Sequence, residues 1–209
     1  MIFMFLLFNG CTGRNGTMQK SVDGELTNVS LRARSGNSLD SNEWKCYDLQ
    51  YDRICCPDTW KPEESSSCLL FTQIGDSDQN TFFAVLRHDT VLCKLNLDNY
   101  LREVYLQLRD DTLELFKEYT LTELVFEDKK AFFGEFTTMI DDSLLLSFVM
   151  FTQVRGLVYD LTLKVPLKAR DFNRKLFEDL LYNYKANGKF LFNENDELLS
   201  MREVDIMTF

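Results

Sequence analysis

Apolar and polar residues alternate most regularly in the second half of the chain. In Leu157 to Val165 the odd positions are apolar, whereas Asp160, Thr162 and Lys164 face away, which is the two-residue period of a β-strand. Leu144 to Phe151 is apolar on both faces, so we expect that strand to be central. Short turns separate four such segments, which predicts an antiparallel meander. The four predicted strands are residues 114–127, 131–140, 144–153 and 157–165.

Shorter patterns precede the meander. Residues 47–55 alternate apolar and polar positions up to Pro57, which predicts one half-buried strand. Residues 68–74 and 81–87 are rich in Phe and Leu, and the residues between them favour turns, so they predict a hairpin. We expect the segment around Trp60 to be a loop.

Two stretches have the spacing of amphipathic helices. After the capping residue Asn96, apolar side chains recur at helical spacing as far as Leu108. A second helix is predicted over residues 171–184, with Asn187-Gly188 as its C-terminal stop. Residues 190–192 predict a short edge strand, and we expect the acidic tail beyond Asn193 to fray.

These elements predict an α+β fold, in which an antiparallel sheet of about six to seven strands is covered by two main helices. The chain has 209 residues, of which 45% are hydrophobic, and this is sufficient for one core. The predicted division is a signal peptide with lipobox at 1–11, a flexible tether at 12–45, one domain at 46–193 and a C-terminal tail at 194–209.

The order of these elements resembles the PsbP-like α/β/α sandwich superfamily. The stretches that carry the resemblance are Pro57-Asp58-Thr59-Trp60, Thr81-Phe82-Phe83-Ala84-Val85, Gly134-Glu135-Phe136-Thr137-Thr138, Val158-Tyr159-Asp160-Leu161-Thr162-Leu163 and Phe177-Glu178-Asp179-Leu180-Leu181. That superfamily includes the photosystem II protein PsbP, a Ran-binding nuclear import factor and DcrB-type bacterial lipoproteins. The resemblance implies an accessory or binding module more than an enzyme, and it carries over no binding residue.

The N-terminus resembles a bacterial lipoprotein leader. Met1 to Phe8 is continuously apolar but too short to span a bilayer as a helix, and Asn9-Gly10-Cys11 follows. Lipidation of Cys11 would anchor the chain to a membrane of the bacterial cell envelope. Residues 12–43, poor in large apolar side chains, would be the tether. The alternative is an uncleaved N-terminus whose Phe residues form an ordinary buried strand.

Charge limits the class of partner. The net charge is −10, which argues against nucleic acid, since binding to a phosphate backbone needs clustered Lys and Arg. It equally argues against a polybasic patch on a membrane surface.

Cysteine and histidine usage indicates no metal site or cofactor. If Cys11 is lipidated, five cysteines remain, so disulfide pairing would leave at least one thiol. No C-x-x-C motif occurs, and His88 is the only histidine. We expect the adjacent Cys55 and Cys56 to be buried as small apolar residues. The five cysteines are Cys46, Cys55, Cys56, Cys68 and Cys93.

Catalytic motifs are also absent from the sequence. Asp76, Asp78 and Asn80 have the spacing of a calcium loop, but Thr81 stands where Gly is needed, so a hairpin turn explains them better. His88 precedes Asp89, yet no G-x-S-x-G nucleophile elbow and no phosphate-binding glycine loop occurs. We therefore predict no catalytic residue and no cofactor.

The resulting hypothesis is a lipid-anchored accessory or binding module of the cell envelope, without enzymatic activity, which binds a protein partner. One alternative is an intracellular adaptor or chaperone with an uncleaved N-terminus, and another is a lipoprotein enzyme with an unrecognised site. Trp60 is a possible partner-binding residue, because loop aromatics are often used in recognition. The competing interpretation is that Trp60 fills one end of the core.

Overall fold

The computed structural model describes most of the chain from Trp44 onward. The described residues are 44–48, 52–64, 68–73, 81–89, 96–112, 116–140, 143–193 and 196–204. The predicted leader, the lipidation residue Cys11 and nearly all of the predicted tether lie outside these residues, as do Cys93 and the calcium-like spacing of residues 76–80.

Within this part of the chain the backbone forms twelve strands and two helices. The strands are β1 Trp44–Asp48, β2 Asp52–Pro57, β3 Trp60–Glu64, β4 Cys68–Gln73, β5 Phe82–Asp89, β6 Phe116–Phe126, β7 Lys130–Ile140, β8 Ser143–Val154, β9 Leu157–Pro166, β10 Tyr184–Ala186, β11 Lys189–Phe190 and β12 Leu198–Glu203. The helices are α1 Leu97–Thr112 and α2 Arg170–Tyr182.

The strands form two antiparallel sheets. The large sheet has eight strands in the order β12-β6-β7-β8-β9-β5-β4-β3, and the small sheet has four in the order β1-β2-β10-β11. The predicted meander is confirmed as β6 to β9, and β8 lies in the interior of the large sheet, as its apolar character on both faces predicts.

Each face of the large sheet is covered. On one face, α2 and the small sheet close a core rich in Phe and Tyr, which includes Phe83, Phe148 and Phe177. On the other face, Leu97, Leu101 and neighbouring side chains of α1 pack on β6 to β9. A three-layer arrangement results, because a sheet that is apolar on both faces must bury both.

The two predicted helices are confirmed, with small differences at their ends. The side-chain oxygen of Asn96 accepts the N–H of Asn99 at 2.8 Å, which is the predicted cap of α1. Helix α2 ends at Tyr182, and Asn187 and Gly188, both at positive φ, instead form the turn between β10 and β11. The prediction that this dipeptide stops the helix is therefore wrong.

The prediction of a single sheet of six to seven strands is wrong. The expected strand over residues 47–55 is divided between β1 and β2, which pair with each other and, through β10, build the small sheet. The segment around Trp60, expected to be a loop, is the edge strand β3. The β1–β2 and β3–β4 pairings are local hairpins, whereas the pairing of β10 with β2 joins residues about 130 positions apart, such as Tyr184 and Ile54, so no local pattern indicates the small sheet.

The C-terminal segment also differs from its prediction. Residues 198–203, expected to lie in a frayed tail outside the domain, form β12 and pair with β6. The fold therefore extends beyond Asn193. Two apolar residues, Leu198 and Leu199, followed by Met201 were the local sign of a strand in this otherwise acidic segment.

Candidate functional site

Trp60, the predicted partner-binding residue, is a core residue of the large sheet's edge strand. Its side chain is 4% exposed and belongs to the main core cluster, and its backbone carbonyl accepts a hydrogen bond from the Tyr47 hydroxyl at 3.3 Å. This burial favours the interpretation that Trp60 fills one end of the core.

The four described cysteines divide into a disulfide and two buried thiols. Cys46 and Cys55 lie directly opposite each other in the β1–β2 ladder and form a disulfide. Cys55 and Cys56 are both buried, as predicted, but Cys55 is disulfide-bonded and only Cys56 is a small buried thiol. Burial raises the pKa of Cys56 to about 12 and the pKa of Cys68 to about 11. Since the thiolate is the reactive form, neither thiol is suited to nucleophilic chemistry in this environment.

A buried carboxylate lies beneath α1. Asp160 in β9 is 3% exposed, and it accepts hydrogen bonds from the hydroxyl groups of Tyr100 at 2.8 Å and Thr162 at 3.1 Å. Burial raises the pKa of Asp160 to about 6, and the two hydrogen bonds oppose that shift. The sequence places Asp160 on the polar face of β9, and this face is buried because α1 covers it.

His88 is the neighbour of this carboxylate network. Its ring lies 4.7 Å from the Tyr100 ring, centroid to centroid, and burial lowers its pKa. His88 pairs with Val158 across the β5–β9 ladder. The Tyr100 hydroxyl donates its proton to Asp160, so it is not free to donate to His88. Because Tyr100 belongs to α1 and the other two residues belong to the sheet, these contacts hold α1 on the sheet.

A second buried carboxylate lies between the two sheets. The Oδ2 atom of Asp52 in β2 accepts hydrogen bonds from Arg87 Nη1 at 2.9 Å and from the Tyr184 hydroxyl at 2.7 Å. The Tyr159 ring packs edge-on against Tyr184, with centroids 6.1 Å apart, and burial raises the pKa of Tyr159 to about 12. Asp52 and Tyr184 belong to the small sheet, and Arg87 and Tyr159 to the large sheet. The network therefore fastens one sheet to the other.

One open cleft lies beside the N-terminus of α1. Its volume is about 360 Å³, and it is lined by Asn96, Leu97, Asp98, Lys130, Gln153, Arg155 and Gly156. The Gln153 side chain accepts the N–H of Leu97 at 3.0 Å, and Lys130 forms an ion pair with Asp98 at 2.6 Å. His88, Asp160 and Asp52 do not line this cleft, so these three titratable groups are separate from it.

Two further features bear on what the molecule can bind. In the described part of the chain, no group of three or more His, Cys, Asp or Glu side chains is arranged to hold a metal ion. Neither of the two described helices has the length and apolar character that crossing a membrane requires.

Sequence reasoning did not identify Asp52, Arg87 and Asp160 as buried polar groups. Asp160 did interrupt an apolar strand at a regular position, which is a weak signal. Asp52 and Arg87 are 35 residues apart in sequence, so only the docking of the small sheet on the large one brings them together.

Comparisons with known proteins identify the fold. No protein-family model matches the sequence, and no curated protein matches it. Among solved structures, the chain is similar to the cyanobacterial PsbP (CyanoP) of Synechocystis sp. PCC 6803, with 14% identity and a TM-score of 0.50 over 73% of this chain and 97% of CyanoP.

A second similar structure is that of LpqN, described as involved in cell envelope biogenesis of Mycobacterium tuberculosis. The identity is 12% and the TM-score 0.45, over 71% of this chain and 86% of LpqN. At such low identities, structural similarity reports on fold and not on activity. With the element order that the sequence predicts and the similarity to CyanoP, the chain has the PsbP-like fold.

Proposed function

We propose that this chain is a lipid-anchored accessory or binding module of the bacterial cell envelope, and that it acts by binding a protein partner and not by catalysis. The observation that carries the location is the Cys46–Cys55 disulfide. Disulfides persist in oxidising compartments such as the periplasm or the cell surface and are rare in the cytosol. The lipoprotein-like leader ending at Cys11 supports the same compartment.

The chemistry of the buried polar groups supports a binding module over an enzyme. The carboxylates of Asp52 and Asp160 accept hydrogen bonds from fixed internal donors. The open cleft contains an ion pair between Lys130 and Asp98, and it includes none of the residues whose pKa values are displaced by burial. An active site would be expected to combine a concave surface with such perturbed groups.

Intact mass spectrometry of the native, membrane-extracted protein tests this proposal. We expect a mass that corresponds to a chain beginning at a lipid-modified Cys11, with one pair of cysteines oxidised. The variant Cys11→Ala should leave the membrane fraction, whereas Cys68→Ala, which removes a buried thiol, should stay in it.

A chain that retains Met1 and carries only reduced thiols would overturn the envelope location. That result would favour the alternative of an intracellular adaptor or chaperone. A turnover activity that is lost on mutation of cleft residues would overturn the non-enzymatic part of the proposal and leave the location standing.

A further inference from the structure

Strand β12 lies at one edge of the large sheet that the described strands form. All six of its residues are exposed, and three of them are large and apolar: Leu198 at 47%, Leu199 at 57% and Met201 at 67%. Among the described strands it is the last in its sheet, with β6 on one side. Edge strands usually carry features that discourage pairing with other chains.

The opposite edge of the same sheet has such features. Strand β3 contains Lys61, Pro62 and Glu63, and charged side chains and proline are the common means of blocking an edge. Strand β12 also carries charged residues, Arg202 and Glu203, and an irregularity of register between Leu198 and Ser200, but three large apolar side chains remain exposed on it. These exposed apolar side chains indicate a surface that can contact another chain.

The hydrogen bonds to β6 fix which backbone groups of β12 point outward. The N–H of Val204 donates to the carbonyl of Leu121 at 2.8 Å. Hydrogen-bonded and non-hydrogen-bonded pairs alternate along an antiparallel ladder. The backbone N–H and C=O of Arg202, opposite Glu123, therefore also point towards β6, and those of Met201, opposite Leu124, point away from it. Leu198 lies opposite Phe126, whose N–H bonds to Lys129, so Leu198 also points outward.

The exposed side chains of this segment are complementary to those of a second copy of the segment that runs antiparallel to it. If two copies pair antiparallel with Leu198 opposite Met201, both outward-pointing residues form hydrogen-bonded pairs. The same register places Glu197 opposite Arg202. A twofold axis repeats each pair, which gives two apolar pairs and two pairs of opposite charge. The register also places Asp196 opposite Glu203 twice, and the Asp196 carboxylate is already paired with Lys129 at 2.6 Å. Arg202, although bonded to Glu123, has a side chain that is 74% exposed and can contact a second carboxylate.

We infer that the occupant of this edge is a second copy of the chain, and that two β12 strands pair antiparallel to join two large sheets into one. A contact of six residues per chain buries far less surface than the roughly 800 Å² per partner that stable complexes bury. The pairing is therefore weak in dilute solution. Confinement to a membrane, which rests on the proposed lipid anchor, raises the effective concentration and favours the pair.

Cysteine crosslinking tests both the pairing and its register. Full-length Leu198→Cys and Met201→Cys chains are coexpressed and oxidised in isolated membranes. Directly opposed residues lie about 5.5 Å apart between Cα atoms, within reach of a disulfide. We expect the mixed sample to give several times more disulfide dimer than either variant alone. The wild-type chain and Glu63→Cys on β3 measure the background.

A charge reversal then tests the complementarity. Glu197→Arg would place two Arg residues opposite each other at both ends of the pair, and we expect it to lower the dimer yield roughly tenfold. The circular dichroism spectrum should not change, because Glu197 is exposed. Equal dimer yields in the mixed sample, the single variants and the β3 control would overturn the inference.

The same crosslinking on concentrated purified protein separates this inference from the proposed anchor. Register-specific dimers in solution, from a chain that retains Met1, would support the pairing and overturn the anchor. A lipidated chain that gives no register-specific dimer on membranes or in solution would do the opposite.

Discussion

The two faces of the large sheet each bury one aspartate that is hydrogen-bonded to a tyrosine hydroxyl, but the two carboxylates are stabilised in different ways. Asp52, on the face covered by α2 and the small sheet, is bonded to Tyr184 and to the cation of Arg87. Asp160, on the face covered by α1, is bonded to two neutral hydroxyl groups, those of Tyr100 and Thr162.

This difference shows how a buried charge can be tolerated. A cation in contact compensates a carboxylate at every pH at which both are charged. Neutral donors compensate it only in part, so burial shifts the equilibrium of Asp160 towards its protonated form, with a pKa of about 6. Mild acid should therefore stabilise the α1 face, because Asp160 becomes protonated there. The stability of the Asp52 network instead depends on the presence of Arg87.

Removal of that cation should have the largest effect. We expect Arg87→Met to lower the free energy of unfolding by about 3–5 kcal/mol, because it leaves the buried Asp52 carboxylate without its charge partner. Denaturant unfolding at pH 7.5 measures this loss.

A neighbouring exposed ion pair supplies the control. Arg53, the next residue along β2, pairs with Asp48 at 3.5 Å, and their side chains are 31% and 48% exposed. Arg53→Met should therefore cost less than about 1 kcal/mol. Equal losses for Arg87→Met and Arg53→Met would contradict the interpretation of the Asp52 network.

The next effect concerns pH. Because the folded-state pKa of Asp160 lies above its ordinary value of 3.8, its contribution is fully present below pH 4 and is lost as the pH rises through about 6. With each pKa unit equivalent to about 1.4 kcal/mol, wild-type protein should lose up to about 3 kcal/mol relative to Asp160→Asn over this range. Urea unfolding of both proteins between pH 4 and 7.5 measures the difference.

A surface carboxylate provides the comparison for that experiment. Glu63→Gln, on the exposed edge strand β3, should follow the wild-type pH dependence. If Asp160→Asn followed the wild-type curve as well, burial of Asp160 would not be the cause of the pH response.

The smallest effects should come from removing single hydroxyl groups. At pH 7.5, Tyr100→Phe should lower the free energy of unfolding by about 2–3 kcal/mol and Tyr184→Phe by about 1–2 kcal/mol. The second loss is smaller because Asp52 still has its bond to Arg87, whereas Asp160 has no bond to an Arg. At pH 5 the cost of Tyr100→Phe should fall, since Asp160 is then largely protonated. Thermal or urea unfolding of the two variants at both pH values gives the comparison, and a larger loss for Tyr184→Phe at pH 7.5 would reverse it.

The buried networks also show how far the sequence predicts the candidate sites. The period of β9 identifies Asp160 and Thr162 as sharing one face, but not that α1 covers this face. His88 was visible as the only histidine, yet its neighbour Tyr100 comes from a helix whose packing depends on the whole sheet. The register that places Cys46 opposite Cys55 depends on strand pairing that sequence spacing did not specify.

By itself, the sequence determined the two helices, the meander from β6 to β9 with β8 inside the sheet, and the element order of the PsbP-like fold. These features follow from local periodicity, capping and short turns, which act between residues close in the chain. Only the tertiary structure decided the division into two sheets, the burial of Asp52 and Asp160, and the place of β12 at the edge of the large sheet. Each of these depends on contacts between distant segments, whose free energy is gained only when the whole core has formed.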